Sequence, residues 1–309
     1  MMKNNPIQTY KVAMVGLDLT EMDDHLIRYA AAISKLLLLD RVIFVHVAKD
    51  LQLPDALIAK YPDLVEPLDE SIENDIKAKV AEHFHDVDTT TDCIVKDGHP
   101  IEQILKLSKI KNVDLIMMGR KKSLDGSGIM SSKIARKCPC SILFVTSEAN
   151  AHIHKILLPV DFSHHASLAI DLAHVINERS PAEVRLINFY QVPIGYYKTG
   201  KSHEEFADIM KDFAKKDFQR FVANNQFPED FKCDFLLSDN GDLPQLTYEY
   251  AEEQSMDLII IGSRGRTGIA SILMGSIAEK LVYLDSNVPI LIVKEKGENM
   301  GFLDALMKI

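Results

Sequence analysis

An internal duplication constrains the fold of this chain more than any other feature of its sequence. Four landmarks recur 143 positions apart: Asp18 with Asp161, Gly98 with Gly241, Asp114 with Asp257, and Gly119 with Gly262. A period this long indicates a duplicated domain, since solenoid repeats have periods of about 20–50 residues. The 309 residues also match two domains of ordinary size. We therefore expect one domain at residues 1–148 and a second at 153–294, joined by a polar stretch.

Each copy alternates apolar strands with helical patterns. The first copy predicts strands at 12–15, 42–47, 93–95, 115–118 and 142–145, and helices at 26–39, 72–83 and 100–108. The second predicts strands at 156–160, 184–189, 233–237, 258–261 and 290–293, and helices at 167–177, 204–224, 243–253 and 276–284. Strands made almost entirely of Val, Ile, Leu and Met are typical of parallel sheets buried on both faces. The alternation predicts two doubly wound α/β domains.

The tail that follows the second copy, residues 295–309, begins charged and ends in an apolar pattern. That spacing predicts a short amphipathic helix, which docks either on the body of the protein or on a partner.

A glycine-punctuated loop follows the fourth strand of the second copy. It places glycines at 262, 265, 268 and 275, directly before Ser276. Glycine lets a backbone turn tightly and approach a ligand closely. A helix beginning at Ser276 would direct its free N–H groups and its positive dipole end at an anion. Alternatively, Ser276 with Glu279 forms a capping box, which explains the serine without any ligand.

The corresponding loop of the first copy departs from this pattern. Gly119 and Ser132 remain, but Lys122 and Ser131 occupy the positions of two glycines of the second copy. A Cβ at those positions would crowd the backbone against a phosphate. The second copy is therefore predicted to hold an anion, and the first is not.

Ligands of open parallel sheets bind beyond the carboxyl ends of the strands. Asp161 ends the first strand of the second copy, close to where the glycine loop leaves the fourth. An aspartate there can accept hydrogen bonds from a ribose hydroxyl or a base amino group, or it can cap the following helix. Arg264 and Arg266 either supply positive charge to the site or are simply solvated.

The spacing Gly262-x2-Gly265-x9-Gly275-Ser276, paired with Asp161 in a Pro-Val-Asp-Phe-Ser context, resembles the ATP-binding signature of universal stress proteins. The resemblance covers nearly the whole chain, as a tandem two-domain member. It implies a five-stranded parallel sheet of order 3-2-1-4-5 in each domain, in the adenine-nucleotide alpha-hydrolase-like class. It further implies ATP as the ligand, with or without Mg²⁺, an internal pseudo-dimer of the two halves, and room for a homodimer.

The resemblance also assigns the site residues. The adenosine side would be lined by Pro159, Val160 and Asp161. The ribose and phosphates would be surrounded by Gly262, Arg264, Gly265, Gly275, Ser276 and Ile277. Ala278 stands where some nucleotide-binding members carry a hydroxyl residue. Because the first copy lacks most of these features, we expect it to bind nucleotide weakly or not at all.

Composition excludes several other classes of function. A formal charge of −10 argues against a general binder of nucleic acid or of membrane surfaces, since both are polyanionic. Four unevenly spaced cysteines, with neither a signal peptide nor a membrane-spanning apolar stretch, favour the cytoplasm. Cys138-Pro-Cys140 lacks the second ligand pair of a zinc site and is interpreted as buried thiols. We expect no metal site.

The leading hypothesis is a cytoplasmic stress-response protein that binds ATP in its second domain as a regulatory or binding module. A Walker motif is absent from the sequence, and we identify no catalytic residues. The first alternative is an enzyme that hydrolyses ATP slowly or phosphorylates itself at Ser276 or Ser271. The second is a protein-interaction scaffold that binds no nucleotide.

Overall fold

The computed structural model describes residues 9–49, 68–120, 127–227, 231–239, 241–266, 274–284, 286–301 and 304. The chain divides into two compact units. The first domain is Thr9–Ala151 together with Lys296–Ile309, and the second domain is His152–Glu295. Among the described residues, no helix is both long and apolar enough to span a membrane.

The first domain alternates strands and helices around a parallel sheet. Its elements are β1 Val12–Leu17, α1 Met22–Leu37, β2 Arg41–Ala48, α2 Leu68–Phe84, β3 Thr90–Asp97, α3 Pro100–Ile110, β4 Leu115–Arg120, α4 Ser127–Lys137 and β5 Ser141–Thr146. The strand order is β3-β2-β1-β4-β5, and Val15 of β1 lies opposite Phe44 of β2 and Met117 of β4. The sequence pattern does not predict α4, because the two glycines near its start and its polar residues hide the helical spacing.

The second domain repeats this arrangement. Its elements are β6 Lys155–Pro159, α5 His164–Arg179, β7 Glu183–Tyr190, a short 3-10 helix Tyr196–Thr199, α6 His203–Asn225, β8 Lys232–Leu237, α7 Leu243–Glu253, β9 Leu258–Gly262, α8 Ser276–Tyr283 and β10 Ile290–Val293. The strands are parallel and run in the order β8-β7-β6-β9-β10. The predicted order 3-2-1-4-5 is therefore confirmed in both domains.

Burial differs between the inner and outer strands. Every residue of β5, β9 and β10 is buried. Strands β3 and β8 are instead exposed at their ends and half-buried between them. The expectation that strands are buried on both faces therefore fails for β3 and β8, whose sequences carry Thr, Asp and Lys that remain in contact with water.

Two of the repeated aspartates serve the sheet rather than a ligand. The Oδ2 atom of Asp114, before β4, accepts hydrogen bonds of 2.9 Å from the backbone N–H groups of Lys11 and Val12. Asp257, before β9, accepts the equivalent pair of bonds at the start of β6. Each aspartate thus satisfies two backbone donors at the amino end of a central strand, which gives a structural reason for this landmark of the repeat.

The C-terminal segment packs on the first domain. The Nζ atom of Lys296 lies 2.6 Å from Oδ1 of Asp114, whose side chain is buried. The side-chain amide of Asn299 donates to the carbonyl of Arg136 at the end of α4, at 3.0 Å. Residues 300, 301 and 304 have helical backbone, and the rest of the predicted tail helix lies outside the described residues.

Candidate functional site

A cavity of about 310 Å³ opens at the carboxyl end of the sheet in the second domain. Sites for small molecules typically measure about 300–1,000 Å³. All nine residues selected from the sequence line this cavity: Pro159, Val160, Asp161, Gly262, Arg264, Gly265, Gly275, Ser276 and Ile277. The remaining lining residues are Ala166, Asn188, Phe189, Leu243, Thr247, Ile261, Arg266 and Ala278.

Asp161 ties the end of β6 to the glycine loop. Its Oδ1 accepts a hydrogen bond of 3.1 Å from the backbone N–H of Ser163, and its Oδ2 accepts one of 2.8 Å from the backbone N–H of Arg266. The N-cap of α5 is Ser163, whose hydroxyl accepts from the backbone N–H of Ala166. The alternative that Asp161 caps this helix is therefore wrong, and its carboxylate lies in the cavity wall.

Arg266 is held against the protein rather than simply solvated. Its Nε donates to the carbonyl oxygen of Asp161, and its guanidinium carbon lies 5.3 Å from the centroid of the Phe162 ring. A terminal nitrogen also lies 3.9 Å from the carboxylate of Asp217 on α6. These contacts fix the beginning of the glycine loop over the end of β6.

The glycines of the loop leave room for other protein atoms. A Cβ on Gly262 would lie 2.6 Å from the carbonyl carbon of His165 on α5, and one on Gly265 would lie 2.7 Å from Oδ2 of Asp161. A Cβ on Gly275 would lie 3.3 Å from the carbonyl oxygen of Ser263. None of the three glycines has a positive φ. Backbone atoms crowd Gly262 and Gly275, and the carboxylate of Asp161 crowds Gly265, a reason that the sequence pattern does not reveal.

Ser276 begins α8 without capping it. The N-cap residue is Gly275, in extended conformation, and no side chain caps this helix. The capping-box interpretation of Ser276 with Glu279 is therefore wrong, since the serine lies one position inside the helix. Backbone N–H groups in the first turn of a helix lack intrahelical acceptors. In α8 this turn begins at the exposed Ser276, in the cavity wall.

Two buried polar residues of the cavity were not identified from the sequence. The side-chain amide of Asn188 donates to the carbonyl oxygen of Val160 at 2.8 Å. The hydroxyl of Thr247 donates to the carbonyl oxygen of Leu243 at 2.7 Å. The sequence could have revealed Asn188, because an asparagine is unusual inside an apolar strand. It could not have revealed Thr247, since its hydroxyl bonds its own helix.

The first domain contains a corresponding cavity of about 350 Å³. Asp18, Gly119 and Ser131 line it, whereas Lys122 lies outside the described residues. Asp23 also lines it and is almost fully buried, with 2% of its surface exposed. Its carboxylate accepts hydrogen bonds from the backbone N–H groups of Asp18 and Leu19, and burial raises its pKa.

One group among the described residues has the geometry of metal ligands. Ligand atoms of Asp24, Glu82 and His83 in the first domain lie within 4.8 Å of one another. Asp24 already pairs with Nε2 of His83 at 2.8 Å and with Arg28 at 3.2 Å. The imidazole of His83 lowers the pKa of Asp24. These contacts account for the positions of Asp24 and His83, and Glu82 takes part in neither of them.

Comparison with known proteins identifies the family. The model of the universal stress protein family matches residues 9–146 and again residues 152–294. The chain belongs to the universal stress protein family. It is similar over 160 residues to the universal stress protein MJ0577 of Methanocaldococcus jannaschii, at 31% identity, covering 46% of this chain and 96% of that protein.

Solved structures of full tandem length share the fold of this universal stress protein. A functionally unknown protein from Pseudomonas aeruginosa PAO1 has a TM-score of 0.70 at 15% identity, covering 99% of this chain and 100% of its own. A universal stress protein from Archaeoglobus fulgidus has a TM-score of 0.58 at 16% identity, covering 93% and 97%. At these identities the likeness establishes the fold alone.

Proposed function

We propose that this universal stress protein binds one molecule of ATP in the cavity of its second domain and acts in the cytoplasmic stress response as a nucleotide-dependent regulatory or binding module. One observation carries the proposal. Nine residues were selected because they resemble a nucleotide-binding signature, and they come from two segments about a hundred positions apart. All nine line one cavity.

The two sides of the cavity suit the two parts of a nucleotide. Val160 and Phe189 supply apolar surface for a base, since burial of apolar area stabilises an aromatic ligand. The carboxylate of Asp161 can accept a hydrogen bond from a ribose hydroxyl. It already accepts two backbone N–H bonds, but a carboxylate offers about four acceptor positions.

The opposite side of the cavity suits phosphates. Arg264 and Arg266 bring two positive charges to a lining whose one acidic residue is Asp161, and Asp217 of α6 lies 3.9 Å from Arg266 outside that lining. The first turn of α8 adds backbone donors and the positive end of the helix dipole. A bound Mg²⁺ would take oxygen ligands, and the side chains of Asp161 and Ser276, both in the lining, carry such oxygens.

The experiment is calorimetric titration of the full chain with ATP, in Mg²⁺ and again in a chelator. We expect saturable binding at about one ATP per chain. Gly275→Val should abolish it, because even a Cβ at this position lies 3.3 Å from the carbonyl oxygen of Ser263. Gly301→Ala is the matched control, since a Cβ there meets no atom within 4 Å. Absence of saturable binding to the wild type would refute the proposal.

The same samples separate binding from catalysis. Ser276 is exposed and lines the cavity, so its hydroxyl is a candidate acceptor for a phosphoryl group. Ser271, the other candidate acceptor, lies outside the described residues. For a binding module we expect neither ADP nor a phosphorylated peptide after hours with ATP. Either product would instead assign an enzymatic activity.

A further inference from the structure

The two cavities correspond closely on the side that we assign to the nucleoside. In the first domain, Nδ1 of His46 lies 3.1 Å from the carbonyl oxygen of Leu17. In the second, the amide of Asn188 donates to the carbonyl oxygen of Val160, the residue that the repeat pairs with Leu17. Each cavity therefore has a buried polar side chain that joins the carboxyl ends of its first two strands.

The two cavities differ on the side that we assign to phosphates. The repeat offset of 143 places Asp23 at the position of Ala166 and Arg120 at that of Ser263. Ser131 stands at the position of Gly275. The lining of the first cavity carries the carboxylates of Asp18 and Asp23 against the one guanidinium of Arg120, and the lining of the second carries Asp161 against Arg264 and Arg266. The additional negative charge of the first cavity is the buried carboxylate of Asp23. Repulsion between like charges is strong at a site removed from water, so this carboxylate opposes a bound phosphate.

The rest of the first cavity is mainly apolar. Six of its lining residues are Leu17, Met22, Val45, Val47, Ile104 and Met118. Methionine side chains adapt their shape and make favourable contacts with aromatic rings. The exposed carboxylate of Asp18 lies at the end of β1, where Asp161 lies at the end of β6 in the second domain.

We propose that the cavity of the first domain binds a neutral nucleoside, adenosine, and excludes its phosphorylated forms. This inference rests on the proposed function, because it takes the nucleoside side of the second cavity as its reference. The apolar wall packs on the base, Asp18 accepts a hydrogen bond from a ribose hydroxyl, and Asp23 opposes the phosphate. One chain then carries one site for ATP and one for the nucleoside that remains when all phosphates are removed.

The test is a titration of the full chain with adenosine in the presence of saturating ATP, which occupies the second cavity. We expect about one adenosine per chain, bound without displacement of ATP, and no competition by AMP. Val47→Trp should fill the first cavity and abolish this binding while leaving the ATP affinity unchanged. Val47→Ala is the matched control and should retain adenosine binding.

A second variant keeps the test decisive if Val47→Trp does not fold. Asp18→Ala removes an exposed side chain and should weaken adenosine about tenfold or more, the usual effect of losing a hydrogen bond to a charged group. Asp161→Ala should weaken ATP and leave adenosine bound to the first cavity.

The outcomes separate the two proposals. Adenosine binding that is absent under saturating ATP, or that neither Val47→Trp nor Asp18→Ala changes, would overturn the adenosine site while leaving ATP binding intact. If the wild type binds no ATP but binds adenosine in a manner that Val47→Trp abolishes, the proposed function fails and the adenosine site stands.

Discussion

The Oδ2 atom of Asp161 accepts a hydrogen bond of 2.8 Å from the backbone N–H of Arg266. This bond joins the end of β6 to the glycine loop after β9, two segments that together form one wall of the cavity. A Cβ on Gly265 would lie 2.7 Å from the same oxygen atom, so a side chain at that position would force the carboxylate of Asp161 or the loop to shift. Asp161 therefore organises the loop as well as offering an acceptor to a ligand.

Asp161→Asn should weaken ATP binding about tenfold or more. The asparagine has one oxygen acceptor where the aspartate has two, so it either offers fewer acceptors to the ligand or turns its NH₂ group toward the N–H of Arg266. The expected loss is that of a hydrogen bond to a charged group, which contributes about 1.5–3 kcal/mol. Calorimetric titration measures the affinity. Asp18→Asn, at the matching position of the first domain, should leave the ATP affinity unchanged. Equal losses in the two variants would contradict the assignment of ATP to the second domain alone.

Gly262→Ala should destabilise its domain more than Gly119→Ala, although the two glycines are equivalent in the repeat. The added methyl group on Gly262 meets backbone atoms of His165, which cannot move without shifting α5. On Gly119 it meets the side chain of Met22, which is flexible. We expect Gly262→Ala to cost about 1–3 kcal/mol, as overpacking typically does.

Urea unfolding of both variants measures these costs as changes in the free energy of unfolding. A larger cost for Gly119→Ala would contradict the assignment of backbone crowding to Gly262.

Asp23 and Asp24 should affect the pH dependence of stability with opposite signs. Burial raises the pKa of Asp23, so the native state binds its proton more readily than the unfolded state does, and its contribution to stability falls as pH rises above about 3.8. His83 lowers the pKa of Asp24, so the contribution of Asp24 is present above that ordinary value and is lost as pH falls through its lowered pKa.

The measurement is the free energy of unfolding of Asp23→Asn and Asp24→Asn relative to wild type between pH 3 and 7. The free energy of unfolding of the wild type minus that of the variant should fall with rising pH for Asp23→Asn and rise with pH for Asp24→Asn. The same direction of change in both variants would contradict the burial of the Asp23 carboxylate.

The four cysteines should react slowly with thiol reagents in the native protein. Burial raises the pKa of Cys93 to about 11 and that of Cys233 to about 12, while Cys138 and Cys140 are buried. Because the thiolate is the reactive form, we expect Cys93 and Cys233 to react at least about a hundredfold more slowly at pH 8 than a free cysteine of pKa 8.5. Labelling with a disulfide reagent before and after unfolding checks this, and rapid labelling of either residue in the native state would contradict it.

Much of the fold follows from the sequence, because the hydrophobic periodicity of each segment and the repeat of 143 residues can both be found directly in it. The predicted helix 243–253 coincides with α7, and the predicted strand 290–293 coincides with β10. Helix α4 is missed because it begins in a stretch of glycine and polar residues. The exposure of β3 and β8 is missed because most of their polar residues, at 90–92, 96–97 and 232, lie outside the predicted strands 93–95 and 233–237.

The site could be assembled from the sequence only through its glycine spacing and its pairing with Asp161. Local pattern gives the position of Ser276 but not its role, because one residue separates an N-cap from the first helical position. The sequence could not show why residue 262 must be glycine, since the reason is its close contact with α5, which comes from another part of the chain. Asn188 could not be found from the repeat offset of 143, which pairs it with Val45. Only the strands show that Asn188 contacts Val160 as His46 contacts Leu17.

The central claim is that one of the two duplicated cavities binds ATP, and the stoichiometry of the full chain tests it most directly. Native mass spectrometry of the wild type with increasing ATP should show a single saturable adduct, one ATP per chain, which Gly275→Val removes. Two ATP molecules per chain, or no saturable adduct at all, would contradict the account.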